Sequence, residues 1–145
     1  MLKKFRRKLN KMFREFLVYH NSSLEFRAKL ITLMIASDIQ MSECEERVLR
    51  ETAHKIYENN TERAEVLIDT VKEYFEKIKT KNGLDYEHLI ILVQREVREV
   101  KRFHDKIEID LLRPFIDCQE DEDEKIFSER VIEFLEELKQ EHGAV

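Results

Sequence analysis

The stretch Ser22-Ser23-Leu24-Glu25-Phe26-Arg27-Ala28-Lys29-Leu30-Ile31-Thr32-Leu33-Met34-Ile35 decides the fold. Ser22 followed three residues later by Glu25 is a capping-box pair, so a helix begins near Ser23. Leu24, Ala28, Leu30, Ile31, Leu33, Met34 and Ile35 then fall on almost every side of that helix. A helix that is apolar nearly all round has to be enclosed by others, as in the middle of a bundle. It stops near Asp38.

The remainder of the chain supplies the enclosing helices. Ser42 with Glu45 is a second capping box, opening a helix that runs to about Glu58. After the break at Asn59-Asn60-Thr61, Ala64, Leu67, Ile68, Val71, Phe75 and Ile78 recur at helical spacing. That helix ends at Lys81-Asn82-Gly83, where Gly can take the left-handed terminating conformation. Asp85 caps a further helix carrying Leu89, Ile90, Leu92, Val93, Val97, Val100 and Phe103. Near Asp105 it gives way to one with Ile107, Leu111, Leu112, Phe115 and Ile116, bent or shortened by Pro114. Asp121 with Glu124 opens the last, which runs to about Glu141. With an amphipathic helix ahead of Asn21, the sequence predicts about seven helices in one all-α bundle.

Composition agrees. The 145 residues suit one domain, and 2 Gly and 1 Pro leave little turn chemistry for hairpins. A β-sandwich, a barrel or a Gly-rich phosphate-binding fold is excluded on that ground. A hydrophobic share of 42% is enough for a core. The longest apolar runs, such as Leu89 to Val93, are far too short to cross a bilayer. The N-terminus has no apolar stretch of secretory-signal length. Cys44 and Cys118 lack metal-motif spacing, and in a chain that looks intracellular they read as reduced thiols. The expected location is cytoplasmic.

Charge is divided unevenly. Residues 1–20 carry Lys3, Lys4, Arg6, Arg7, Lys8, Lys11 and Arg14 against one acid, Glu15, a net +6. The chain total is −5, which leaves −11 on residues 21–145. Within residues 1–20, Leu2, Phe5, Leu9, Met12, Phe13, Phe16 and Leu17 share one helical face. Such a segment can lie on an anionic membrane surface, dock in a groove of a partner protein, or pack on its own domain. Nucleic acid is disfavoured, because a body at −11 repels phosphate.

An offset of 79 residues lays Ile35–Glu45 over Pro114–Glu124. Both copies read apolar helix, Asp, three residues, capping Ser or Asp, two residues, Glu. The same offset pairs Leu30 with Ile109, Leu33 with Leu112, Val48 with Phe127 and Ile56 with Leu135. Each copy is a helix, a short acidic turn and a helix, with Leu30, Leu33, Met34, Leu112, Phe115 and Ile116 at the common centre.

At these residues the chain resembles the tellurite-resistance TerB-like family, whose members carry a pattern close to Ala-x-Asp-Gly-x-Ile-x-x-x-Glu twice. Ala36, Asp38, Met41 and Glu45 match the first copy, and Asp117 and Glu124 the second. Ile39 and Cys118 stand where the pattern has Gly, and Glu120 where it has Ile. The resemblance covers roughly residues 24–140. It implies a non-catalytic, seven-helix interaction or stress-response module, with residues 1–20 as a basic segment added ahead of it. A peripheral position at the inner face of a membrane fits that segment.

The acidic turns permit a second function, binding or sensing of a divalent cation such as Ca²⁺. Carboxylate oxygens suit hard cations, and Asp38, Glu45, Asp117 and Glu124 are the candidate ligands. Helix capping accounts for Ser42/Glu45 and Asp121/Glu124 equally well. His54/Glu58 and His104/Glu108 read as solvated i,i+4 pairs. Cys44, within Glu43-Cys44-Glu45-Glu46, is poorly placed as a nucleophile because its carboxylate neighbours oppose the thiolate. No enzymatic activity is expected.

Overall fold

The computed structural model describes residues 22–36 and 40–143. The apolar stretch forms helix α1 (Ser22–Ile35), with nine of its 14 residues buried. Around and beside it are α2 (Glu43–Ile56), α3 (Thr61–Lys79) and α4 (Tyr86–Glu99). A 3-10 segment η1 (Lys101–Lys106), a single turn α5 (Ile109–Leu112), a second 3-10 segment η2 (Arg113–Cys118) and the long α6 (Glu122–Gly143) complete the order. The fold is all-α, and no strand is present among the described residues. Helix α1 is contacted by α3, α4, α6, η1 and η2, while α2 packs against α3 and η2. The enclosure expected from its all-round apolarity is what the chain builds. Residues 1–20 and Asp38 lie outside the described residues.

The two basic side chains of α1 each find a partner on another element. Arg27 Nη2 is 2.8 Å from a Glu108 carboxylate oxygen, and Lys29 Nζ donates to both Glu96 oxygens at 2.8 Å. Thr32, fully buried, donates its hydroxyl to the Ala28 carbonyl one turn back. Polar groups inside a bundle persist only when satisfied in this way.

Two helix starts follow the capping chemistry read from the sequence, those at Ser42 and Asp85. Ser42 and Glu45 form a reciprocal capping box: Glu45 N–H donates to Ser42 Oγ, and Ser42 N–H donates to Glu45 Oε1. Asn60 accepts from Arg63 N–H, and Asp85 from His88 N–H. The Asp121 side chain accepts from Asp123 N–H, and its carbonyl from Lys125 N–H. Helix α1 begins at Ser22, whose hydroxyl accepts from the Arg102 guanidinium at 2.6 Å, a tie to η1.

Three local expectations are corrected. The helix from Tyr86 ends at Glu99, where Val100 adopts an extended conformation. The backbone turns there so that Phe103, which is buried, can stack on Phe26 with ring centroids 4.5 Å apart. The Ile107–Ile116 helix shrinks to α5 and η2, because Pro114 has no N–H to donate and its ring crowds the preceding turn. Finally, the left-handed residue that ends α3 is Lys81, at φ +55°, two residues before Gly83 at +88°. Asn82 N–H donates to the Lys77 carbonyl and Lys81 N–H to that of Ile78. That pair of bonds is a Schellman closure, so its position is set by hydrogen bonding to α3.

The internal repeat fails along its helices, and its capping bonds differ too: Ser42 accepts from the N–H three residues on, Asp121 from the N–H two residues on. The first copy opens with 14 residues of α-helix, the second with a four-residue turn and a 3-10 segment. Val48 is buried whereas its counterpart Phe127 is 39% exposed. Leu30, Leu33, Met34, Leu112 and Phe115 reach the expected common core, and Ile116 packs half-buried at its edge.

Two stability changes follow. Leu33 is in the last turn of α1, and its carbonyl accepts the Tyr86 hydroxyl at 2.7 Å from α4. Tyr86→Phe should lower the unfolding free energy by about 1 kcal/mol in urea titrations, the usual net worth of such a bond. Lys81→Gly should raise it by roughly 1 kcal/mol, since Gly enters the left-handed region without the clash of a Cβ.

Candidate functional site

The two acidic turns meet. Helix α2 starts at Glu43, η2 ends at Cys118, and these two elements are in contact. Cys44 and Cys118 are joined by a disulfide with a Cα–Cα distance of 5.5 Å and a sequence separation of 74. This overturns the expectation of reduced thiols. Spacing carried no sign of the pairing, because packing of η2 on α2 alone brings the cysteines together. The inference of a cytoplasmic setting had leaned on those thiols. No described helix is long and apolar enough to cross a membrane.

Glu45 lies beside the disulfide at 1% exposure. Its Oε1 accepts Ser42 N–H, and its Oε2 accepts the Gln119 side-chain amide at 3.3 Å. Gln119 is buried too, and the same amide nitrogen reaches the Phe115 carbonyl at 3.4 Å. Glu45 is thus committed to N–H donors from both turns. Asp117 is exposed, Glu124 is half-buried, and Asp38 lies outside the described residues. Among the described residues, no three His, Cys, Asp or Glu side chains are grouped so as to hold a metal ion. Gln119 is the partner that sequence reasoning missed; an uncharged side chain between acids gives no signal of its role.

The histidine pairs are arranged differently from expectation. His54 Nε2 lies 3.4 Å from Glu65 on α3, and Arg50 approaches the same carboxylate at 3.5 Å. Glu51 and His54 have the Glu-x-x-His spacing of di-iron bundles, yet Glu51 is exposed on the α2 surface. Glu108 is paired with Arg27.

A second polar group sits where α1, α3 and α4 meet. Glu25 and Lys29 from α1, Glu73 and Tyr74 from α3 and Glu96 from α4 influence one another there. Burial pushes the Glu25 carboxyl above its ordinary value; Lys29 opposes this, and Glu96 and Glu73 reinforce it. Burial likewise raises the Tyr74 phenol, helped by Glu25, Glu96 and Glu73. On the α2–α3 surface the reverse holds: a hydrogen bond from Lys72 at 2.9 Å, with its charge, lowers the Glu46 carboxyl.

A shallow opening of about 10 Å³ lies between α1, α2 and the η1–α5 region, bordered by Arg27, Thr52, Lys106 and Glu108 over Leu30 and Ile31. It has room for about one water molecule. Arg27 extends over the Tyr57 ring at 5.8 Å, and Arg63 does so at 5.6 Å. Ile91, Ile126 and Phe127 are the large apolar side chains left exposed among the described residues.

No protein-family model, curated protein or solved structure matches the chain.

Glu25 gives a pH signature. Its raised value means the folded state holds this proton more tightly than the unfolded chain does. Its contribution therefore favours folding at low pH and is lost as pH rises through the raised value. Glu25→Gln should raise the melting temperature at neutral pH, with the gain narrowing as pH falls toward 4.5, the ordinary glutamate value. An equal gain at every pH would contradict this origin.

Proposed function

We propose that the protein is a non-catalytic interaction module, similar to TerB-like domains, that works against an anionic membrane surface through residues 1–20. The observation that carries this reading is the division of charge and apolarity along the chain. A 20-residue segment at +6, whose apolar residues recur at helical spacing in the sequence, precedes a body at −11. The body gives its interior to packing: one continuous core runs from Leu24 to Leu138. A strongly acidic body is repelled by anionic lipid, so the segment has to supply both the attraction and the orientation. Apolar insertion and basic attraction act together in such segments, the latter at about 1 kcal/mol per Lys or Arg near the surface. The TerB-like pattern at Ala36, Asp38, Met41, Glu45, Asp117 and Glu124 supports a stress-response setting, with tellurite resistance the nearest example.

Vesicle sedimentation tests the reading with the full chain. Binding should require anionic lipid, weaken as salt is added, and fall at least about tenfold when Lys3, Lys4, Arg6 and Arg7 are replaced by Gln. Equal binding to neutral and anionic vesicles, or no effect of the four substitutions, would reject it.

A further inference from the structure

We propose that the Cys44–Cys118 bond is a redox latch on the junction of the two acidic turns. Reduction by a dithiol releases the η2–α6 junction from α2 while the helical bundle stays folded.

The bond's position separates junction from core. Cys44 is the second residue of α2, and Cys118 is the last of η2, just before the turn into α6. Most of the largest core side chains, including Phe26, Leu67, Leu89 and Phe103, come from α1, α3, α4 and η1, while Leu49 of α2 and Phe115 of η2 join them from either side of the bond. Those elements contact one another without passing through the disulfide. Phe115 anchors η2 in the core, and beyond it the junction has one polar tie to α2. Gln119 is the residue that ties it to Glu45, through one amide nitrogen shared between acceptors at 3.3 and 3.4 Å, both long. The preceding segment is a 3-10 helix containing Pro114, a short element of poorer hydrogen-bond geometry. Such segments open locally before a core does.

The two sulfurs differ in access and in electrostatics. Cys44 is half-buried and Cys118 is 9% exposed, so an incoming thiolate reaches Cys44 Sγ first. Its attack forms a mixed disulfide on Cys44 and expels Cys118 as a thiolate, which takes up a proton. The second thiol of the reductant then attacks its own sulfur in that mixed disulfide and expels the Cys44 thiolate, which is protonated in turn. Two electrons and two protons pass from the dithiol, which leaves as a cyclic disulfide. The Cys44 thiolate is a favourable leaving group at this place. It sits in the first turn of α2, where backbone N–H groups face outward, and the Arg47 guanidinium lies 3.9 Å from its sulfur. Of the flanking acids that oppose it, Glu45 is held by N–H donors and Glu46 is paired with Lys72, which leaves the exposed Glu43 against Arg47 and the helix start. After reduction the turns remain on one chain, so reoxidation is intramolecular and closes the same pair.

Iodoacetamide labelling with peptide mapping, far-ultraviolet circular dichroism and amide hydrogen exchange on the full chain test the latch. The air-oxidised protein should take no label, and dithiothreitol under native conditions should expose two thiols, at Cys44 and Cys118. Helicity should be retained, with the melting temperature lower by roughly 10 °C. Exchange should quicken about tenfold or more in residues 113–124 and stay slow in α1 and α3. The Cys44→Ser, Cys118→Ser chain should reproduce the reduced pattern without reductant. Failure of dithiothreitol to expose the thiols would overturn the proposal. So would loss of helicity on reduction, unchanged exchange in residues 113–124, or failure of the double variant to fold; the last makes the bond a staple of the whole fold.

Discussion

Everything in this molecule depends on enclosing α1. Nine buried residues on a 14-residue helix leave no face for solvent, so neighbours have to arrive from several directions. Helices α3, α4 and α6 with η1 and η2 supply them. Each fully buried Leu, Ile or Met contributes about 1.5–3 kcal/mol by leaving water. The surface ion pairs of α2 and α3, such as Lys72–Glu46, contribute far less, because solvent screens them. Packing on α1 therefore decides that the bundle forms. The pairs decide its details, because Arg27 and Lys29 can enter the bundle only where Glu108 and Glu96 stand to receive them. Those two contacts fix how α1 is rotated relative to η1, α5 and α4.

The same constraint explains the irregular half of the chain. A straight continuation of α4 would carry Phe103 away from α1. Ending α4 at Glu99 and coiling the next six residues as η1 returns Phe103 to Phe26. The chain then needs a short path to α6, and Pro114 supplies it by preventing a long helix. The result is a run from Lys101 to Cys118 with only one turn of α-helix, yet with Phe103, Ile107, Leu112 and Phe115 all buried. Irregular backbone is tolerated here because each turn delivers an apolar side chain to the core.

What was legible in the sequence was local. Ser42/Glu45 and Asp85 show their roles within three residues, and their hydrogen bonds form as the spacing implies. Helix α1 was legible because apolarity on every face has one structural solution. The links that hold distant parts together were not. Cys44–Cys118, Ser22–Arg102 and Tyr86–Leu33 span 74, 80 and 53 residues. No periodicity encodes such pairings; they exist once packing has placed their elements. The repeat misled for the same reason. Its capping residues fall at matching positions because capping is a local signal, while its helices diverge because Pro114 and the demands of the core act on the second copy alone. For the candidate site, the acidic turns were found and their joining was not. Gln119, the buried side chain that bridges them, is ordinary in sequence.

That joining changes how the acidic residues should be weighed. Glu43, Glu45 and Glu46 read in sequence as a field opposing any thiolate at Cys44. In the structure Glu45 is turned inward onto Ser42 and Gln119, and Glu46 is neutralised by Lys72, its carboxyl lowered by that contact. The field at the sulfur is consequently set by the start of α2 and by Arg47 more than by the number of nearby acids. The arrangement also places the disulfide beside the densest run of carboxylates, Glu120 to Glu124. While the bond is closed, that run is kept near the start of α2. Glu43, beside Cys44, carries the same sign as that run beyond Cys118, so their repulsion works against the contact once the bond is open, and the long Gln119–Glu45 contact opposes it weakly. Charge repulsion and the disulfide therefore act in opposition at the same few residues, which is what makes the junction sensitive to a single covalent bond.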